Sequence, residues 1–84
     1  MSSMPSTTTQ LREFVTANFY VPSAVVIDDI PSFLDHGILD STGVLELVTF
    51  IEGKFGISVP DHELVPSNFD SLAALSAYVE RKRV

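Results

Sequence analysis

The sequence predicts an all-α domain, a small bundle of three main helices and one short one with a long loop between the first two. Apolar residues recur at helical spacing in three separate stretches. Each stretch is preceded by a residue suited to cap a helix, and prolines and glycines fall between the stretches. An apolar fraction of 45% with a charged fraction of 19% fits a folded rather than a disordered chain.

Residues 1–6 are small and polar and are expected to form a disordered tail before one domain spanning residues 7–84. Thr7 with Gln10 three positions on has the pattern of a capping box. Leu11, Phe14, Val15 and Phe19 then mark one apolar helix face, and Pro22 is read as its end. From Val21 to Leu39 no period holds, yet Val25, Val26, Ile27, Ile30, Phe33, Leu34 and Ile38 make the stretch too apolar for a solvated linker. It is read as a loop lying across the core, and connections of this length are often functional. Asp40 is placed to cap the second helix, whose stripe is Val44, Leu47, Val48, Ile51 and Phe55, with Gly56 as its C-cap. Asp61 is expected to cap a brief helical turn through Val65, stopped by Pro66. Asp70 or Ser71 caps the last helix, which buries Leu72, Leu75, Tyr78 and Val79. Its basic end, Arg81 to Arg83, suits the negative end of the helix dipole.

With 84 residues the chain has room for one modest core. Net charge is −6, and residues 1–80 hold all 11 acidic residues against only Arg12 and Lys54. Such a body repels phosphate backbones, so nucleic acid is not an expected partner. It attracts basic protein surfaces, although net charge by itself also serves solubility. Cysteine is absent, which removes disulfides, thiol nucleophiles and thiolate metal sites and fits a reducing cytoplasm. No apolar run is long enough to span a bilayer, and Met1 to Pro5 lack the blocks of a signal peptide. The expectation is a cytoplasmic monomer without membrane insertion.

Enzyme readings find little support. His36 and His62 each stand beside an aspartate in a loop. His36, Asp40 and Ser41 lie within six positions of one loop-to-helix junction, which does not supply the separate supports that a hydrolytic triad needs. Metal-ligand spacing is missing as well. Both histidines are read as exposed loop residues. Ser41 carries more weight because it opens a helix, where free N–H groups and a partial positive charge favour an attached phosphodiester. Taken alone, Asp40 and Ser41 have the more usual meaning of a helix cap.

The flanking residues change that weighting. Gly37-Ile38-Leu39-Asp40-Ser41-Thr42-Gly43-Val44-Leu45-Glu46-Leu47 resembles the attachment motif of the acyl carrier protein family. Phe55-Gly56-Ile57-Ser58-Val59-Pro60-Asp61 and Asn68-Phe69-Asp70-Ser71-Leu72 resemble that family's third-helix approach and fourth-helix start, so the likeness runs over about residues 9–83 in order. The resemblance implies a four-helix bundle that is not an enzyme. It also implies a 4'-phosphopantetheine arm, added to Ser41 beside Asp40 from coenzyme A by a phosphopantetheinyl transferase. A loading ligase or synthetase and a downstream acceptor enzyme are its implied partners, and the start of the second helix is the implied contact. There Leu45, off the buried stripe, joins Thr42, Glu46 and Thr49 in a small apolar spot rimmed by acid.

The sequence also departs from the family. Many fatty-acid carriers place leucine and aspartate after the modified serine, where this chain has Thr42 and Gly43. Gly43 reads either as loose helix geometry or as a point of close approach by the arm or a partner. The end of the second helix, Glu52-Gly53-Lys54, is less acidic than in fatty-acid carriers. The segment from Gly37 to Ser41 is more similar to D-alanyl and discrete peptidyl carriers. Together with large core residues that leave no obvious gap for a chain, these features point to an amino acid or another small acid as cargo. A fatty-acid or polyketide carrier is the alternative, and an unmodified acidic helical adaptor is the alternative of another class.

Overall fold

The computed structural model describes residues 6–22 and 26–83. Four helices form: α1 (Thr7–Asn18), α2 (Ser41–Phe55), α3 (Pro66–Phe69) and α4 (Leu72–Arg83). Short 3-10 turns at Ile27–Asp29 and Asp61–Glu63 lie before α2 and before α3. No strand occurs among the described residues, and no helix there is long and apolar enough to cross a membrane. The all-α bundle of three main helices and one short one is thus as expected. Of the expected tail, residues 1–5 lie outside the described residues.

Ser6, expected in that tail, is instead the cap of α1, its hydroxyl accepting the Thr9 N–H at 3.1 Å. Thr7 falls one residue inside the helix because its hydroxyl is used elsewhere. It is buried, donates to Glu80 and accepts from Arg83 Nη1 at 2.9 Å, fastening the start of α1 to the end of α4. Leu11 and Val15 are buried as expected, with Phe14 and Phe19 packed against the core. The helix stops at Asn18, ahead of Pro22, because Phe19 turns into extended backbone and carries its ring toward α2.

The long loop does lie across the core. Ile27, Ile30, Phe33, Ile38 and Leu39 are buried, whereas Val26 and Leu34 are exposed, and Val25 lies outside the described residues. A buried loop must find partners for its backbone polar groups. Asp70 supplies several: its carbonyl accepts the Phe33 N–H at 2.7 Å, and its carboxylate accepts the Leu34 N–H at 2.9 Å and the Ser32 hydroxyl. Arg12 grips Asp28 through two hydrogen bonds of 2.8 and 2.6 Å, tying the 3-10 turn to α1. The turn over residues 33–37 then closes as a Schellman motif. The Ile38 N–H reaches the Phe33 carbonyl at 2.9 Å and the Gly37 N–H reaches the Leu34 carbonyl at 3.2 Å. Gly37 takes the left-handed φ of 70° that this closure requires. The two apolar residues at the ends of this motif, Phe33 and Ile38, are both buried in the core.

Asp40 caps α2 as expected, its Oδ1 accepting the Gly43 N–H at 2.7 Å. At the other end Gly56 has φ 68° and donates to the Glu52 carbonyl. Leu47 and Ile51 are fully buried, and Val44, Val48 and Phe55 pack at the edge of the core. Pro66 behaves opposite to expectation: it starts α3 rather than stopping a turn. A proline's missing N–H costs nothing at a first helical position, and its fixed φ is already helical. Before α4 the cap is Ser71, which accepts the Ala74 N–H at 3.1 Å, since the Asp70 carboxylate is committed to the loop. Leu72, Leu75, Tyr78 and Val79 are buried, all four as expected.

One polar knot fastens the 3-10 turn before α3 to α4. The Tyr78 hydroxyl donates to Glu63 Oε1 at 2.6 Å, and Lys82 Nζ lies 3.1 Å from the same oxygen. Asn68 on α3 donates to the Glu63 carbonyl at 2.9 Å. Burial, with Glu63 opposite, pushes the Tyr78 phenol up. The bond from Tyr78, and then Lys82, hold the Glu63 carboxyl below its ordinary 4.5.

Two predictions follow from these contacts. A carboxylate depressed on folding contributes stability that is full above its ordinary value and is lost as pH falls through the lower folded value. Glu63→Gln retains an acceptor for Tyr78 without the charge. Between about pH 7 and about pH 3 its urea midpoint should therefore drop less than that of the wild type; equal drops would remove the role assigned to the charge. Replacing Asp40 with alanine should cost about 1 kcal/mol in urea denaturation, the usual worth of such a cap.

Candidate functional site

The site is built where the long loop meets α2. The Schellman closure at Gly37 turns the chain inward, burying Ile38 and Leu39 and delivering Asp40 to the cap position. Ser41 is therefore the first residue of α2, and its side chain is exposed. Asp40 takes the Gly43 N–H, and the geometry of a helix start leaves the Ser41 and Thr42 N–H groups without intrahelical partners. They add to the positive end of a helix of 15 residues.

Thr42, Leu45, Glu46 and Thr49 are all exposed and fall at i, i+3, i+4 and i+7, so they line one outward stripe of α2. Leu45 is 61% exposed. The Thr49 hydroxyl donates back to the Leu45 carbonyl at 3.0 Å.

Sequence reasoning missed a cleft of about 450 Å³ that opens beside Ser41. Its near wall is Leu39, Val44 and Leu45, its far wall Leu64, Val65 and Pro66, and Phe69 also lines it. Leu34 and Asp70 complete the lining, so Ser41 and Asp70 are its hydrophilic members. The inference that the core leaves no gap for a chain therefore does not hold. Ile51 and Tyr78 do fill the centre, with Phe14, Phe19 and Phe55 packed against it, but the space lies between α2 and the α3 segment. The signal available was the run Leu64-Val65-Pro66, too apolar for a plain connection.

Gly43 corrects a second reading. It is neither loose nor open to an arm or a partner, because it is buried. A Cβ placed there would lie 2.9 Å from Phe19 Cε1 and 3.0 Å from Leu39 Cδ1. The close approach is real, and the group approaching belongs to α1's own end.

Both histidines are exposed; His36 lies in the loop with Nδ1 bonded to the Ser32 carbonyl at 2.9 Å, whereas His62 falls within the 3-10 turn rather than in a loop. Among the described residues no hydrogen bond joins His36 to Asp40 or Ser41, and no cluster of three or more potential ligands could hold a metal.

Comparison with known proteins places this geometry. The chain matches the family model described as the phosphopantetheine attachment site over residues 10–79. It is 39% identical over 49 residues to D-alanyl carrier protein 1 of Lactiplantibacillus plantarum. That alignment takes in 58% of this chain and 61% of the relative's length. The family match runs from within α1 into α4 and so covers the cap, the serine and both walls of the cleft. The chain belongs to the phosphopantetheine-attachment family: residues 10–79 form a carrier domain of the kind to which 4'-phosphopantetheine is covalently attached.

Proposed function

We propose that Ser41 is the attachment residue and that the protein presents an acyl or aminoacyl group to partner enzymes. The observation that carries this reading is the exposed hydroxyl of Ser41 at the first position of α2, at the mouth of an apolar cleft. The residues present fit the group. An exposed serine hydroxyl can enter a transferase, and the free N–H groups of Ser41 and Thr42 favour a phosphodiester beside them. The cleft offers apolar surface to whatever lies along it. When attached, 4'-phosphopantetheine supplies the thiol that holds a carboxylic acid as a thioester. Asp40 holds the helix start in place, and residues 7–84 act as one carrier domain.

The reading takes a phosphopantetheinyl transferase, a loading ligase or synthetase and an acceptor enzyme as partners of a cytoplasmic monomer. Thr42, Leu45, Glu46 and Thr49 form their docking stripe, exposed together and adjoining Ser41. We take the cargo to be an amino acid or another small acid. Its support is the similarity of Gly37 to Ser41 to D-alanyl and peptidyl carriers, together with the partial likeness to a D-alanyl carrier protein. A second reading, a fatty-acid or polyketide carrier, is favoured by the cleft, which shelters apolar atoms. The unmodified adaptor has no support from the family match.

Incubation with transferase and coenzyme A should add one phosphopantetheinyl group per chain to the wild type and none to Ser41→Ala, with helical circular dichroism unchanged. Modification of the alanine variant would move the site. The mass of the thioester on protein purified from its native host reads the cargo, and a long acyl chain would decide for the second reading.

Docking is tested separately. Glu46→Lys should slow association with the loading enzyme, with the effect shrinking as salt rises. Leu45→Ala should weaken binding with little salt dependence, because it removes apolar contact. Unaltered kinetics in both variants would place the interface elsewhere.

A further inference from the structure

The first turn of α2 has its position set from outside the helix. Gly43 is its third residue, and its N–H is the one that Asp40 caps at 2.7 Å. The space a side chain would take at Gly43 is filled from three directions. An ideal Cβ there would lie 2.9 Å from Phe19 Cε1, 3.0 Å from Leu39 Cδ1 and 3.3 Å from Asp40 Oδ1. Leu39 and Asp40 directly precede Ser41, and Phe19 comes from the end of α1. The Phe19 ring is itself held, edge-on to Phe14 at 5.9 Å, and Phe14 stacks on Phe50 of α2 at 4.0 Å. The ring that rests on Gly43 is therefore braced against the same helix one aromatic layer further along.

We propose that Gly43 and Phe19 are positioning residues for the modification of Ser41: the glycine lets the ring seat against the first turn, and the seated ring fixes where the serine hydroxyl points. The inference rests on Ser41 being the attachment residue. In the transfer, the Ser41 oxygen bonds to the pantetheine-bearing phosphorus of coenzyme A. The bond from that phosphorus to the rest of the diphosphate breaks, adenosine 3',5'-bisphosphate leaves, and the serine proton passes to a base of the transferase. Gly43 is buried and lies outside the exposed stripe of α2, so binding to the transferase and alignment of the hydroxyl are separable. A methyl group at residue 43 must displace the ring, the Leu39 side chain or the capping carboxylate, the groups that pack against the turn carrying Ser41. Small misplacements of a reacting atom cost rate steeply.

The experiment measures phosphopantetheinyl transfer to the full chain with a transferase and coenzyme A, resolving kcat from KM. Gly43→Ala should lower kcat about tenfold while KM changes less than about twofold, at a temperature where circular dichroism shows full helix. Phe19→Leu, which withdraws the ring edge, should restore kcat in the double variant to within about threefold of wild type. A wild-type kcat in Gly43→Ala, or a loss that Phe19→Leu does not relieve, would overturn the inference. If Gly43→Ala does not fold, Phe19→Leu is compared with the double variant. The added methyl should then leave kcat equal or higher, and a slower double variant would count against the proposal. A wild-type chain left unmodified at Ser41 would overturn the attachment reading and this inference with it.

Discussion

Asp70 holds the fold together at its least regular point. A domain of 84 residues has too few helical positions to build a core from helices alone, so the long loop contributes five buried apolar residues to it. Burying those side chains carries their backbone polar groups away from water, and this is tolerable only where partners are supplied. Asp70 meets two of these needs, the N–H groups of Phe33 and Leu34, and also accepts the Ser32 hydroxyl. The Schellman closure, the inward turn of Ile38 and Leu39 and the delivery of Asp40 to the cap all lie downstream of that grip. The residue also lines the cleft, so loop anchoring and site formation meet at one position.

The basic end of α4 has a use that helix-dipole reasoning did not suggest. Arg81 lies over the Tyr78 ring, Lys82 pairs with Glu63, and Arg83 reaches Thr7 and the ring of Phe55. These cations are directed inward at the bundle's own seams. The second helix meanwhile shows Glu46 on its outward stripe. Charge is thus sorted by task, with positive groups closing the fold and a negative one left toward solvent beside the serine.

Legibility in the sequence followed locality. The Asp40 cap, the Gly56 cap and the four buried residues of α4 depend on neighbours within a turn or two, and periodicity with capping chemistry exposed them. Pro66 was misread because the same residue stops one helix and starts another, and only the following residues' pairing distinguishes the two. Ser6 was passed over because Thr7 satisfied the same local pattern, while the real claim on Thr7 came from α4. Gly43 was out of reach: its reason is a phenylalanine 24 positions earlier. The motif around Ser41 was readable as a family resemblance, whereas the cleft beside it depends on two segments meeting in space.

The cleft has walls of unequal construction. One is the face of a fifteen-residue helix, capped at both ends and seated on the core. The other is Leu64 and Val65, strung between a 3-10 turn and a four-residue helix that opens on Pro66, and it is secured through Glu63, Tyr78 and Lys82. Deformation under load concentrates in the weaker member of such a pair, so a bulkier guest would be accommodated by yielding at Leu64 to Pro66. The surface beside Ser41 would keep its shape. The two edges of the cleft thus differ in how firmly the fold holds them.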